Sequence, residues 1–345
     1  MSRAQLTSTV EQNTGGAVSP YVAGKNKIIN GDFGVWQRGT SISLTTGTAA
    51  YTSDQWNVVC NFSAGTASAS QQTFTPGTAP VAGYEGTYFH RVTTGSTSTY
   101  IEVKQNIENV RTYAGQTVVL SFWAKASTAM TSSTLFRQEF GSGGSTLVDT
   151  SGASLSITTS WQRFTTSVTL PSISGKTIGT SSMLRVYPIS VSGTFTSATV
   201  DIWGVQLEAG STATAFQTAT GTLSGELAAC QYYYELLEIV GSASTSTGQC
   251  LSTTTTIGSF TFKVTKRVAP TITLATSGKS AGQASFLTAN GTFATTVGTI
   301  AVGSVSKYGF DFAGASYGAA TFVAGNAAVY YGNGAQTIYT ASAEL

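Results

Sequence analysis

The sequence predicts an all-β chain: an extended N-terminal arm, an antiparallel jelly-roll β-sandwich, then a smaller C-terminal β-sandwich. Three observations carry this. Apolar residues alternate with polar ones in short runs, and almost nothing repeats with a helical period. Clusters of Gly, Ser and Thr divide the runs at the spacing of sandwich strands. Charged residues make up only 9% of the 345 while aromatic residues reach 11%, so the polar faces are hydroxyls and amides rather than ions. Disordered chains show the opposite balance, with much charge and few rings. The length suffices for two domains, each with its own core.

Residues 1–26 lack a hydrophobic period and end in SPYVAGKN, where Pro20 and the glycines point to an extended arm, either disordered or ordered by docking onto a partner. From Lys27 to residue 218 the pattern is that of the jelly roll. In KIINGDFGVWQRGT, Ile29, Phe33 and Val35 alternate on one face, with Asn30-Gly31 as a turn signal. Strand runs follow at Tyr51–Cys60, Tyr84–Thr93, Tyr100–Ile107, Thr117–Ala126, Thr134–Phe140, Trp161–Leu170, Met183–Ile189 and Val200–Leu207. That number of strands fits a jelly roll. In the last run the parity slips at Gly204, as a β-bulge requires. The run then breaks at Leu207-Glu208-Ala209-Gly210 and exits to a second domain over residues 219–345. Leu223–Cys230 reads as a short helix and Tyr232–Val240 as a strand. Further runs follow at Phe260–Val264, Thr271–Leu274, Val305–Phe312, Ala320–Val323, Ala327–Tyr331 and Thr337–Ala341.

Several function classes are disfavoured. A net charge of +2, with basic residues only in pairs such as Lys25/Lys27 and Lys266/Arg267, does not make a phosphate-binding face. No apolar stretch has the length of a membrane span, and MSRAQLTSTVEQNTGG has no apolar core of a signal peptide. Assembly in a cytoplasm is expected. Cys60, Cys230 and Cys250 are odd in number and widely spaced, so buried free thiols are expected. The single histidine, His90, sits in the alternating YFHRV pattern and reads as a half-buried strand residue. One His and scattered Cys supply no zinc ligand set. No local pair of carboxylates nominates itself for glycoside cleavage. The chain is read as a non-enzyme.

Sugar binding calls for an exposed ring flanked by amides. All five tryptophans (Trp36, Trp56, Trp123, Trp161 and Trp203) fall in the first domain, and Trp123 reads as core. Trp203 follows an inward Ile202 and points outward; Trp203 and Trp36 are the candidate carbohydrate-binding residues, with core packing as the competing role. Tyr232-Tyr233-Tyr234 and Tyr330-Tyr331 must send alternate rings to opposite faces.

The combination NKIINGDFGVWQRGT, DQW at 54–56, SFWAKAS at 121–127, SWQRFTTSVTLP at 160–171 and DIWGVQLEAGSTATAFQ at 201–217 resembles a family of phage virion proteins. Their jelly-roll domain is similar to carbohydrate-binding modules. ELAACQYYYE at 226–235, the FKVTKRVAPTITL run and the closing Ala-Glu-Leu resemble the same family. The resemblance implies a structural virion protein exposed on the particle surface, such as a tail fibre or receptor-binding component that contacts host glycan. The arm would dock on other virion proteins, and the chain would assemble as a homotrimer. Capsid decoration and polysaccharide depolymerase are the alternatives. The resemblance also implies a structural calcium, for which Asp32 and Asp201 are the candidate oxygen ligands. Gly34 stands where the family has an acidic residue. The alternative gives Asp32 a turn-capping role and places Asp201 on the solvent face of its strand.

Overall fold

The structure, a computed structural model, describes residues 24–81, 84–239, 244–277, 285–288, 293–295, 300–314, 323–331 and 336–345. The arm expected over 1–26 lies almost wholly outside them, as does most of the run expected at Ala320–Val323. The chain divides into two units, Met1–Glu226 with Leu345, and Leu227–Glu344. The division falls inside the helix rather than ahead of it.

Among the described residues the first unit holds twelve strands. They are β1 (Ser41–Leu44), β2 (Ala50–Tyr51), β3 (Trp56–Ala64), β4 (Ala67–Thr73), β5 (Tyr88–Thr93) and β6 (Thr97–Glu108). Then come β7 (Thr117–Ala126), β8 (Met130–Glu139), β9 (Val148–Ile157), β10 (Gln162–Thr169), β11 (Met183–Phe195) and β12 (Thr199–Ala209). They form two antiparallel six-stranded sheets, a first in the order β1-β4-β5-β12-β7-β10 and a second in the order β2-β3-β6-β11-β8-β9. The chain passes repeatedly between the two, as in a jelly roll. Alternation explains the layering. Val118, Leu120, Phe122, Val200 and Ile202 of the first sheet and Trp56, Val58, Ile101, Val103, Phe136 and Val186 of the second form one buried core. Each side chain of this size contributes about 1.5–3 kcal/mol on burial.

The bulge read at Gly204 is present: β12 slips register against β7 between Trp203 and Gln206, and Gly204 has φ +65°. A Cβ there would lie 2.7 Å from the Trp123 ring. The bulge receives the NGDF segment, since Val205 N donates to Gly31 O at 2.9 Å. A Cβ on Gly31 would stand 2.3 Å from Val205 O, a backbone atom that cannot swing aside. Gly31→Ala is expected to cost about 1–3 kcal/mol by forcing this corner apart. Urea denaturation of the variant checks this; an unchanged midpoint would contradict it.

The sequence motifs 30–36 and 54–56 are parts of that same corner. Asn30 is buried, donates to Val35 O and Asp54 O, and accepts from Val35 N. Trp56 Nε1 donates to Asn30 O, and Asp54 accepts from Gln37 N and Arg38. The segment closes the sandwich by satisfying buried backbone groups. Its helix partner is α1 (Leu223–Gln231), read from the sequence as Leu223–Cys230. Thr222 Oγ1 caps it by accepting from Gly225 N, and the buried Glu226 carboxylate accepts from Asn30 N and Thr220 N.

The second unit continues with β13 (Tyr234–Ile239), β14 (Ser244–Cys250), β15 (Thr256–Thr261), β16 (Thr271–Ser277) and β17 (Ser285–Thr288). It ends with β18 (Phe293–Thr295), β19 (Ile300–Val305), β20 (Gly309–Gly314), β21 (Ala327–Tyr331) and β22 (Gln336–Ser342). A three-stranded sheet, β13-β22-β16, packs on a seven-stranded sheet, β18-β17-β21-β14-β15-β20-β19. Phe260 and Phe310 of the larger sheet meet Tyr339 of the smaller at 5.3 and 5.6 Å. All three cysteines are buried free thiols, as expected. Among the described residues no helix is long and apolar enough to cross a membrane.

Candidate functional site

The outer face of the second sheet carries three ion pairs side by side. Inward residues on β6 alternate with Tyr100, Glu102, Lys104 and Asn106; on β11 the outward set is Arg185 and Tyr187, on β8 Arg137 and Glu139, and on β9 Asp149. Strand register brings them together, with Asn106 opposite Arg185, Arg185 opposite Arg137, and Arg137 opposite Asp149. Six of the chain's 17 basic and 15 acidic residues thus share one face.

Every one of the six has a partner of opposite sign. Lys104 meets Glu102 at 2.8 Å, Arg185 meets Glu139 at 2.8 Å, and Arg137 grips Asp149 with two bonds of 2.7 and 2.9 Å. Arg185 Nε also donates to Asn106 Oδ1 at 2.8 Å, and the Tyr100 hydroxyl donates to Glu102. Tyr187 is the floor: it is 1% exposed, with Lys104 Nζ 5.4 Å and the Arg137 guanidinium 5.8 Å from its ring centre. Burial foremost raises the Tyr187 and Tyr100 phenols above their ordinary range, so both remain protonated at neutral pH. The Arg137 hydrogen bonds hold the Asp149 carboxyl below its usual range. On neighbouring β3, the buried Oδ1 atoms of Asn57 and Asn61 have no hydrogen-bond partner. The result is a pre-ordered array of donors and acceptors with tyrosine rings among them.

The outer face of the first sheet is built differently. Trp203 does point outward, as its parity predicts, but it is 0% exposed. Tyr84, Phe74 and Phe216 close over it at 5.3, 5.9 and 5.0 Å, and Trp123 packs beside it at 5.3 Å. The expectation of an open platform at Trp203 is therefore corrected: neighbouring loops turn an outward position into a second, smaller apolar cluster. Trp123 is buried as read, though in this outer cluster rather than in the main core. Trp36 is half-buried, donates Nε1–H to Phe33 O at 2.9 Å, and stacks on His90 at 5.4 Å. It braces the corner.

The structure keeps Asp32 and Asp201 apart. Asp32 lines a cavity of about 200 Å³ with Tyr84, Glu85, Tyr88 and Leu223. Its carboxyl is raised above the ordinary range by burial, and further by the charge of Glu226. Gly31 meets β12 at Val205, four residues past Asp201, roughly 13 Å along a strand. Asp201 is 1% exposed and gripped by Arg91 at 2.7 and 2.8 Å, with Lys125 at 3.7 Å. A shared cation site is thus not formed, and the solvent-facing alternative for Asp201 needs the amendment that salt bridges cover it. Among the described residues no three His, Cys, Asp or Glu side chains converge. His90 is fully buried rather than half-buried, because Phe33 and Trp36 close over it.

No family model matches the chain, and no curated protein matches it. Solved structures give partial likenesses. The enzymatically active domain of tailspike protein 4 from bacteriophage CBA120 is 14% identical with a TM-score of 0.35, over 56% of this chain and 22% of that one. The match therefore spans under a quarter of that solved chain. A C-terminal family 22 carbohydrate-binding module of Clostridium thermocellum Xyn10B is 16% identical with a TM-score of 0.34, over 56% of this chain and all of the module. A family 61 module, TmCBM61, solved with β-1,4-galactotriose, is 13% identical with a TM-score of 0.32, over 54% of this chain and 99% of the module. The sandwich itself stands on the strand order described above.

Proposed function

We propose that the protein is a glycan-binding structural component of a bacteriophage particle, and that the outer face of the second sheet receives the glycan. The carrying observation is that paired charges, amides and the Tyr100 and Tyr187 rings stand in register on that face. Sugar hydroxyls act as donor and acceptor at once, and fixed carboxylates, guanidiniums and amides offer both partners in register. The Tyr100 ring supplies the apolar surface on which a pyranose face stacks. The particle assignment rests on the run of sequence motifs from 27 to 217. In this reading residues 1–26 anchor the chain to other virion proteins, the jelly roll contacts a host surface glycan, and the chain acts as a homotrimer without cleaving what it binds.

Tyr100→Ala is expected to weaken binding to a host polysaccharide about tenfold, since it removes a stacking ring. Trp36→Phe is expected to leave binding unchanged. Affinity electrophoresis in polysaccharide-containing gels separates the two. Equal retardation of Tyr100→Ala and parent would sink the assignment of this face, and release of oligosaccharide would restore the depolymerase alternative.

A further inference from the structure

We infer that the ligand of the second sheet's outer face is an uncharged saccharide, and that the paired ions of this face discriminate against acidic sugars. The inference rests on the glycan-binding reading above and adds the charge class of the ligand. Glu102, Glu139 and Asp149 oppose Lys104, Arg137 and Arg185, so the six charges sum to zero. None of the three cations is left over. Arg137 gives two of its N–H groups to Asp149, Arg185 is divided between Glu139 and Asn106, and Lys104 is held by Glu102. A uronate or sialate carboxylate entering this face would meet three fixed carboxylates. To reach a guanidinium it must compete with one of them for the same N–H groups while the displaced carboxylate stays nearby and repels it. A neutral hydroxyl needs no such exchange, because each paired carboxylate oxygen keeps a further lone pair and Arg137 keeps N–H groups outside its pair. Arginine on an anion-binding surface would instead be left with its fork open. The Arg137–Asp149 pair, with a carboxylate side chain 37% exposed, is a closed fork at the rim where a ligand would first arrive.

The test uses the full chain and two oligosaccharide probes of one linkage, a hexose oligomer and the corresponding uronic-acid oligomer, titrated calorimetrically in 50 and 500 mM NaCl. The expected result is that the hexose oligomer binds at least about tenfold more tightly than the uronate, with less than about twofold change between the salts. Asp149→Asn and, separately, Glu139→Gln each release a guanidinium. Each is expected to raise uronate affinity about tenfold in low salt and to lose that gain in high salt. Tighter, salt-sensitive binding of the uronate by the parent, lost in Arg137→Gln, would overturn the charge assignment while leaving glycan binding in place. Absence of binding by parent and variants to either probe would instead overturn the glycan reading on which this inference stands.

Discussion

Glu235→Ala is expected to destabilise the second unit by about 3–5 kcal/mol, because it strands a cation in a fully buried site. Lys266 Nζ lies 2.5 Å from Glu235 Oε2, and neither side chain has any exposed surface. The ammonium also donates to Gln231 O at 2.5 Å and Val264 O at 3.1 Å, while Glu235 Oε1 accepts from Lys263 N. The Phe262 ring lies 4.9 Å from Nζ. Burial pulls the Lys266 pKa below its ordinary range and Glu235 opposes the shift, so the pair is held together by mutual need. Replacing both residues, as Glu235→Leu with Lys266→Met, removes the two desolvation penalties together and is expected to cost far less than the single change. All five tryptophans belong to the first unit. Far-UV circular dichroism should therefore show an earlier transition for Glu235→Ala while tryptophan fluorescence melts where the parent does. A single variant as stable as the double one would refute the argument.

His90 makes the first unit sensitive to acid. Its imidazole is 0% exposed between Phe33 and Trp36, with Nε2 3.0 Å from Thr52 Oγ1 and no partner on Nδ1. Burial pushes its pKa from 6.5 down to about 3. The unfolded chain takes up a proton near 6.5 and the folded chain does not until near 3. Stability from this group is thus fully present above pH 6.5 and is lost as pH falls, by about 1.4 kcal/mol per unit. Asp32 and Asp54, both raised by burial, act in the opposite sense, so the share of the histidine is read from the difference between the parent and His90→Gln. Over pH 7 to 5 the parent is expected to lose about 2 kcal/mol by urea denaturation followed through tryptophan fluorescence. His90→Gln should flatten that slope. As the only histidine in the chain, His90 gives a single set of imidazole NMR signals, and these should not move over the same range. A midpoint near 6.5 would contradict the buried, neutral state.

Strands with an apolar inner face were legible residue by residue. Thr117–Ala126 was read with the bounds the structure has, and the slip at Gly204 was visible because Ile202 and Val205 fall out of phase. Ser41–Leu44, Ala67–Thr73 and Val148–Ile157 were not read. They lie at or next to sheet edges; Ser41–Leu44 is too short to show a period, Ala67–Thr73 turns only alanines inward, and the core residues Leu155 and Ile157 occupy just one end of Val148–Ile157. The candidate site was half legible. Tyr100-x-Glu102-x-Lys104-x-Asn106 shows its outward face by alternation alone, but partnership with Arg185, Arg137 and Asp149 depends on register across strands far apart in sequence. Parity likewise placed Trp203 outward without revealing that residues near 74, 84 and 216 would fold over it.

The central claim is that the outer face of the second sheet is a rigid, pre-paired surface for sugar. A structure of the full chain soaked with a neutral oligosaccharide tests it most directly. The account predicts a pyranose ring over Tyr100, hydroxyls bonded among Lys104, Asn106 and Arg185, and the three ion pairs unbroken. A sugar seated over the Trp203 cluster, or a bound sugar that splits Arg137 from Asp149, would contradict it.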